Sequence, residues 1–283
     1  MYLNIYYNME EEEYVDEMKI IGHGNPISFR RLEQLKEKAE NATCQINSMG
    51  GRIGTGFFFK YKIKEEDRYF LITNNHVLDS NSINNNHDIS IAYKNKEEKI
   101  KLNKRLKGTN EKLDYTIIEI LKKDEIFKKI NNYFEIDNYI MNDESSNKYL
   151  NQDICIVQYP YGGDLAGELS FAHGGIQCFD NFKIKHLVST HPGSSGSPIL
   201  LQNNFKIIGI HKSGNPKNNE NIGIFFQNVL SHFLLQNNLI NQIICEYNIK
   251  NKNKNIQILN CYEEAEKQYP YYFPSDEIEC VEN

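Results

Sequence analysis

The stretch "STHPGSSGSPIL", Ser189 to Leu200, sets four serines, two glycines and two prolines in front of a short apolar run. Serine, glycine and proline dominate turns in any protein, so one reading is simply a turn feeding a strand. The other reading makes one serine a nucleophile, which needs a base, a group that orients the base, and donors for an oxyanion. Gly193 and Gly196 bracket Ser194 and Ser195, and Pro198 opens the strand. Glycine at 193 permits a backbone conformation that turns its N–H outward. With the N–H of Ser195 it would make a two-donor oxyanion pocket, and Ser195, held between those donors, is the candidate nucleophile. An α/β-hydrolase elbow requires G-x-S-x-G before a helix, whereas "GSSGS" lacks the last glycine and runs into a strand.

Eight histidines are available as a base: His23, His76, His87, His173, His186, His191, His211 and His232. His76 stands at the end of the apolar run "YFLITNNHVL", which puts its imidazole at the lip of a buried strand. His191, beside the serine loop, reads as a rim residue. Orienting the imidazole takes an acid. Asp114 precedes the apolar run in "KLDYTIIEI", and Asp88, in "HDISIAY", is the competing choice. Asp114 is favoured because Asp88 follows His76 too closely to lie beyond the next strand. The chain order His, Asp, Ser also differs from that of α/β-hydrolases.

The rest of the chain reads as β-structure with two helical ends. From Thr43 onward short runs such as "TCQINS", "GTGFFFKYKI", "DISIAYK", "DICIVQYP", "GGIQCF", "HLVST", "SPILL", "KIIGIHK" and "NIGIFF" alternate with turn residues, the pattern of a barrel or sandwich. Before them "FRRLEQLKEKAEN", after Ser28 as N-cap, has helical spacing, with Phe29, Leu32, Leu35 and Ala39 on one stripe. After them "FQNVLSHFLLQNNL" has helical spacing too. The expected divisions are an acidic segment and helix over 1–42, a main domain over 43–245, and a tail or docking segment over 246–283.

Composition narrows the function. A net charge of -6 and a pI of about 5.8 lack the footprint of a nucleic-acid binder. The basic run Lys94 to Lys107 is broken by acidic and apolar residues and reads as a solvated strand-and-loop face. No apolar run reaches the length of a membrane span. The six cysteines are scattered, without the pairing of a metal or redox motif, so no metal and no cofactor is expected. The first residues, "MYLNIYYNMEEEEYVDEM", lack the basic and apolar regions of an export signal, and the expectation is a cytoplasmic protein with free thiols.

"ITNNHVL", "LDYTIIEI" and "PGSSGSPIL", in that order, resemble the three active-site blocks of trypsin-like (chymotrypsin-fold) serine endopeptidases. "GTGFFF", "ICIVQYPYGG" and "IIGIHKSG" are similar to further strands of that family, and the resemblance runs from about Thr43 to Gln236. It implies an all-β fold of two antiparallel six-stranded barrels with a short N-terminal and a C-terminal helix. It implies a triad of His76, Asp114 and Ser195, and an oxyanion hole at Gly193 and Ser195. The expected partner is a protein or peptide substrate, with the terminal extensions as places for a regulatory protein. Secreted members carry an aspartate just before the nucleophile that pairs with a freed N-terminal amine. Ser194 stands there instead, so "KIIGHG" (Lys19 to Gly24) is not expected to act as an activation cut site. With no cysteine after His76 either, the chain is closest in motif to bacterial-type glutamyl endopeptidases. Preference for Lys or Arg at P1 would need a carboxylate where Ser189 stands. Thr190, His211 and Ser213 are the expected substrate-binding residues beside Ser189, and they imply Glu, Gln or Asp at P1. The alternative is a catalytically silent binding module on the same fold, within an intracellular regulatory complex.

Overall fold

The computed structural model describes residues 24–47, 53–84, 88–142, 145–161 and 163–239. The acidic segment and "KIIGHG" up to residue 23, and the tail 246–283, lie outside the described residues. Helix α1 (Phe29–Ala42) leads into a first sheet of β1 (Thr43–Asn47), β2 (Ile53–Ile63), β3 (Glu66–Thr73), β4 (Asp88–Tyr93), β5 (Lys96–Lys101), β6 (Lys107–Asn110), β7 (Tyr115–Ile120) and β8 (Phe134–Glu135). Short helices α2 (Ser80–Asn84), α3 (Glu125–Lys129) and α4 (Ser145–Tyr149) lie between strands. The second sheet holds β9 (Asp153–Gln158), β10 (Ser170–Asp180), β11 (Lys183–His186), β12 (Pro198–Leu201), β13 (Ile207–Asn215) and β14 (Glu220–Phe225), and α5 (Phe226–Gln236) follows.

The two sheets differ in closure. The second is a closed six-stranded barrel in the order β10-β11-β14-β13-β12-β9. The first has eight strands in the order β5-β4-β1-β2-β3-β7-β6, with β8 on β2, and does not close. This corrects the expectation of two six-stranded barrels. Strand β5, "KEEKIK", buries only Glu98 and Ile100, the charged habit of an edge strand. Its Glu98 is bonded by Lys129 of α3 (Nζ to Oε1 2.5 Å), and Lys107 at the opposite edge donates to the Ile83 carbonyl of α2 (2.7 Å). Short helices thus sit against the two edges that closure would have joined.

Strand β2 shows why the sheets pack together. Phe57, Phe58 and Phe59 are all fully buried, because alternation sends them to two different cores. Phe58 meets Tyr93 inside the first sheet (centroids 5.8 Å). Phe57 and Phe59 face the core shared by both sheets, against Phe134 and Phe226. Helix α1 seals that core with Leu35, Ala39 and Ala42, and its Arg31 stacks over Phe205 of the second barrel (5.1 Å). Phe29, placed on the buried stripe by its spacing, is 85% exposed instead. It is the first helical residue, where the chain is just arriving at the core. Ser28 holds the N-cap position through its carbonyl, which accepts from Arg31 N and Leu32 N (3.0 Å each), and makes no side-chain cap.

Among the described residues three imidazoles are buried: His186, His211 and His232. Burial pushes His211 down to about 3 and His232 down to about 4, and holds His186 well below the usual range. All three are neutral in the folded protein near pH 7.

Two outcomes follow. Leu35→Ala is expected to cost about 2–5 kcal/mol in chemical denaturation, while Phe29→Ser stays within about 0.5 kcal/mol of the parent. The histidines give a pH dependence of definite sign. Below about pH 6.5 the unfolded chain takes up protons that the folded chain refuses, so stability is complete above that pH and falls below it, by up to about 1.4 kcal/mol per pH unit for each imidazole. Thermal melts between pH 6.5 and 5 should show a falling Tm, and His186→Phe should shallow the fall.

Candidate active site

His76 and Asp114 are presented by two turns stitched together. β3 ends at Thr73, and His76 lies in the turn that follows rather than on the strand itself. Asp114 ends the turn between β6 and β7 with a φ of 46°, a left-handed conformation that aspartate tolerates better than most residues. Asn74 Nδ2 donates to the Asp114 carbonyl (2.8 Å), Asn75 Nδ2 to Thr109 Oγ1 (2.6 Å), and Thr116 Oγ1 to the Leu78 carbonyl (2.6 Å). The Asp114 carboxylate then receives His76 twice. The backbone N–H reaches Oδ1 at 3.0 Å, and ring Nδ1 lies 2.9 Å from Oδ2 and 3.0 Å from Oδ1. The carboxylate is 4% exposed against 49% for the imidazole. A buried carboxylate is costly unless it is bonded, and here the bonds hold a ring whose other edge is open to the cleft. Asp88, the competing acid, is exposed at the start of β4, with Lys101 as its register partner.

Ser195 comes from the second barrel, on the loop before β12. His191 to Ser194 form a turn closed by Ser194 N to the His191 carbonyl (3.0 Å), with proline second and Gly193 third at φ 96°, the type II pattern. The Pro192 carbonyl accepts from Tyr161 N (2.5 Å). In a trans peptide the N–H points the opposite way from the C=O, so the Gly193 N–H is turned away from Tyr161. A Cβ at 193 would lie 2.7 Å from the Tyr159 carbonyl and from Tyr161 N, which leaves glycine as the residue that fits. The Ser194 hydroxyl has Gln158 Oε1 and the His191 carbonyl (2.6 Å) as acceptors in reach of its one proton, and accepts from His191 N (3.1 Å). Neutral hydrogen bonds thus fill the place of an activating aspartate.

Several contributors were invisible in sequence. Thr55 of β2 binds the serine loop through its backbone N–H and its hydroxyl. Its N–H donates to the Ser195 carbonyl (2.8 Å), and its Oγ1 donates to the Gly193 carbonyl (2.9 Å) and accepts from Tyr159 N (3.0 Å). Lys212 is another. The β13–β14 register shifts between His211 and Ser213, making Lys212 the extra residue of a bulge, a device that re-aims a side chain. Its Nζ lies 3.6 Å from Asp114 Oδ2, and its carbonyl accepts the Ser195 hydroxyl at 3.1 Å. Doublets such as Asn74–Asn75, and a glycine-flanked threonine, were the available signals for the stitching. Nothing in the letters announced the bulge.

The cleft, about 1080 Å³, is lined by His76, Asp114 and Ser195 together with Thr190, His211 and Ser213. Ser189 lies outside it, exposed, beside a neighbouring cavity that also touches His186. The acids Asp79, Glu111 and Asp114 line the His76 side. His211 Nδ1 is buried without a hydrogen-bond partner among the described residues, as is Nε2 of His186, whose ring lies 5.6 Å away and whose Nδ1 accepts from Val188 N (3.3 Å). No group of three or more metal-ligating side chains occurs among the described residues.

Comparison with known proteins agrees with this architecture. The chain superposes on a serine endoprotease from Yersinia pestis with a TM-score of 0.50 at 16% identity, covering 75% of this chain and 67% of that one. The Rv3671c protease of M. tuberculosis in an inactive form gives 0.52 at 13%, with 76% and 98% covered. A Glu endopeptidase in complex with MPD gives 0.50 at 19%, with 70% and 90% covered. At such identities the likeness establishes the fold. No curated protein matches the sequence. The model of the trypsin-like peptidase domain, however, matches residues 54–210, more than half of the chain, and the chain belongs to that family.

Proposed function

We propose that the protein is a serine endopeptidase that cleaves peptide bonds through an acyl-enzyme, with His76, Asp114 and Ser195 as its triad. The observation that carries this reading is the His76–Asp114 pair, bonded at 2.9 Å, lining one cleft with Ser195. In the first half-reaction Ser195 Oγ attacks the substrate carbonyl while its proton passes to His76 Nε2. At rest that hydroxyl donates to the Lys212 carbonyl, so it has to be redirected to the imidazole as substrate seats. Asp114 holds Nδ1–H and stabilises the imidazolium. The backbone N–H groups of Gly193 and Ser195 would receive the oxyanion. His76 then protonates the leaving amine, and a water activated by the same imidazole releases the acid and regenerates Ser195.

We further propose an acidic or amide side chain at P1, with Glu or Gln foremost. Thr190 and Ser213 offer hydroxyls and His211 a neutral imidazole on one wall of the cleft, and a bound carboxylate would draw a proton onto that ring. The acids of the cleft lie on the His76 side, so no carboxylate stands on this wall to select Lys or Arg. Ser189 touches the neighbouring cavity and is left with at most an indirect role. Free Cys44, Cys155 and Cys178 suit a reducing compartment, in keeping with a cytoplasmic protease.

A fluorophosphonate probe should label the parent and not Ser195→Ala, and failure to label folded parent protein would point to the silent binding module. Across a peptide library, cleavage should concentrate after Glu or Gln, with His211→Leu losing at least about tenfold in kcat/KM on those peptides. Preferred cleavage after Lys or Arg would overturn the pocket reading and leave the peptidase reading intact.

A further inference from the structure

Helix α5 leaves the closed barrel directly after β14 and crosses onto the first sheet. Its Phe233 packs on Phe70 of β3 (centroids 5.5 Å), and Gly108 of β6 has no side chain because Gln236 and Phe233 occupy the space, 2.6 and 2.9 Å from where a Cβ would stand. Between those contacts His232 is buried, with partners on two strands. Asn110 Nδ2, at the end of β6, lies 3.0 Å from its Nε2, and the Tyr115 hydroxyl, at the start of β7, lies 2.7 Å from its Nδ1. With the Asn110 amide donating, Nε2 is the acceptor and Nδ1–H donates to the tyrosine oxygen.

Asn110 and Tyr115 flank the turn whose last residue is Asp114. Asn110 also shapes that turn, since its Oδ1 accepts from Leu113 N at 2.7 Å. Asp114 itself holds a φ of 46°, a left-handed conformation that a non-glycine residue keeps where the surroundings over-determine it. We infer that His232 is a positioning residue for Asp114: by tying Asn110 and Tyr115 to α5, it fixes the turn that holds the carboxylate against His76. Because α5 belongs to the chain of the closed barrel, the unit that carries Ser195 also sets the position of the acid. The inference rests on the proposed triad for its effect on turnover, and on geometry alone for its effect on the His76–Asp114 bond.

The test reads both, in the full chain. The bridging Nδ1 proton of His76, observed at low field by NMR, reports the bond to Asp114 whether or not the protein is active. His232→Leu, folded by circular dichroism, should lose or shift that resonance and react with a fluorophosphonate about 10- to 100-fold more slowly, with kcat falling and KM near the parent's. His232→Gln can accept from Asn110 and donate to Tyr115, and should restore most of both signals. If His232→Leu does not fold, Tyr115→Phe removes one bond and keeps the ring, with an expected loss of about fivefold. A folded His232→Leu or Tyr115→Phe with an unchanged resonance and a labelling rate within twofold of the parent overturns the inference, as does a His232→Gln no better than His232→Leu. If the parent itself resists labelling, the peptidase reading fails and the resonance alone decides the role of His232.

Discussion

The hydrogen bond from Thr55 N–H to the Ser195 carbonyl, 2.8 Å long, joins an edge-open sheet to a closed barrel at the residue where chemistry is expected. Thr55 leaves none of its polar atoms unused: its carbonyl accepts Thr73 Oγ1 (2.8 Å), and its hydroxyl bridges the Gly193 carbonyl and Tyr159 N. An unpaired buried polar group costs about 1–3 kcal/mol, so a displacement of one sheet against the other would break several such bonds at once. The apolar core shared by Phe57, Phe59, Phe134 and Phe226 supplies the attraction between the sheets but little registry. The Thr55 bonds supply the registry.

With that registry set, electrostatics divides the cleft. Among the residues lining it, Asp79, Glu111 and Asp114 are acids and Lys212 is a cation that reaches Asp114, whereas Thr190, His211 and Ser213 are neutral. The bulge in β13 makes this division. It turns Lys212 toward Asp114 while His211, one residue earlier, stays buried in the wall. A regular strand would not leave an unpaired extra residue between His211 and Ser213, and the cation would lose the bulge that aims it at the acid.

The parts legible in sequence are those where chemistry or packing restricts the residue type at a position. A glycine that must reach φ 96°, a serine beside it, and a histidine at the end of an apolar run are legible because few residues can replace them. The strands were legible where burial imposes apolar runs, as in β2 and β9. Closure of the first sheet was not, because it depends on whether β5 and β6 find each other, and the local pattern of "KEEKIK" reads the same at an edge or within a barrel. The reach of Lys212 depends on register, which the partner strand sets. Ser189 was placed by counting back from Ser195, and counting does not say which side of a loop faces which cavity. Phe29 failed for the plainest reason, since helical periodicity assigns a face and not the depth to which the first turn is buried.

Three residues at the candidate site share one condition: Gly193, Gly196 and Asp114 all have positive φ. Each is held by a neighbour from the opposite unit. Gly193 is bonded by Thr55 of the first sheet, and a side chain at Gly196 would run into Thr55 and Thr73 of that same sheet. Asp114, on the first sheet, has Lys212 of the closed barrel 3.6 Å from its carboxylate, and the turn it ends is flanked by Asn110 and Tyr115, which bond His232 of α5. Neither unit therefore carries a finished site of its own. Conformations that an isolated loop would abandon become the stable ones when the two surfaces meet, so the correct geometry of the cleft is tied to the correct docking of the sheets.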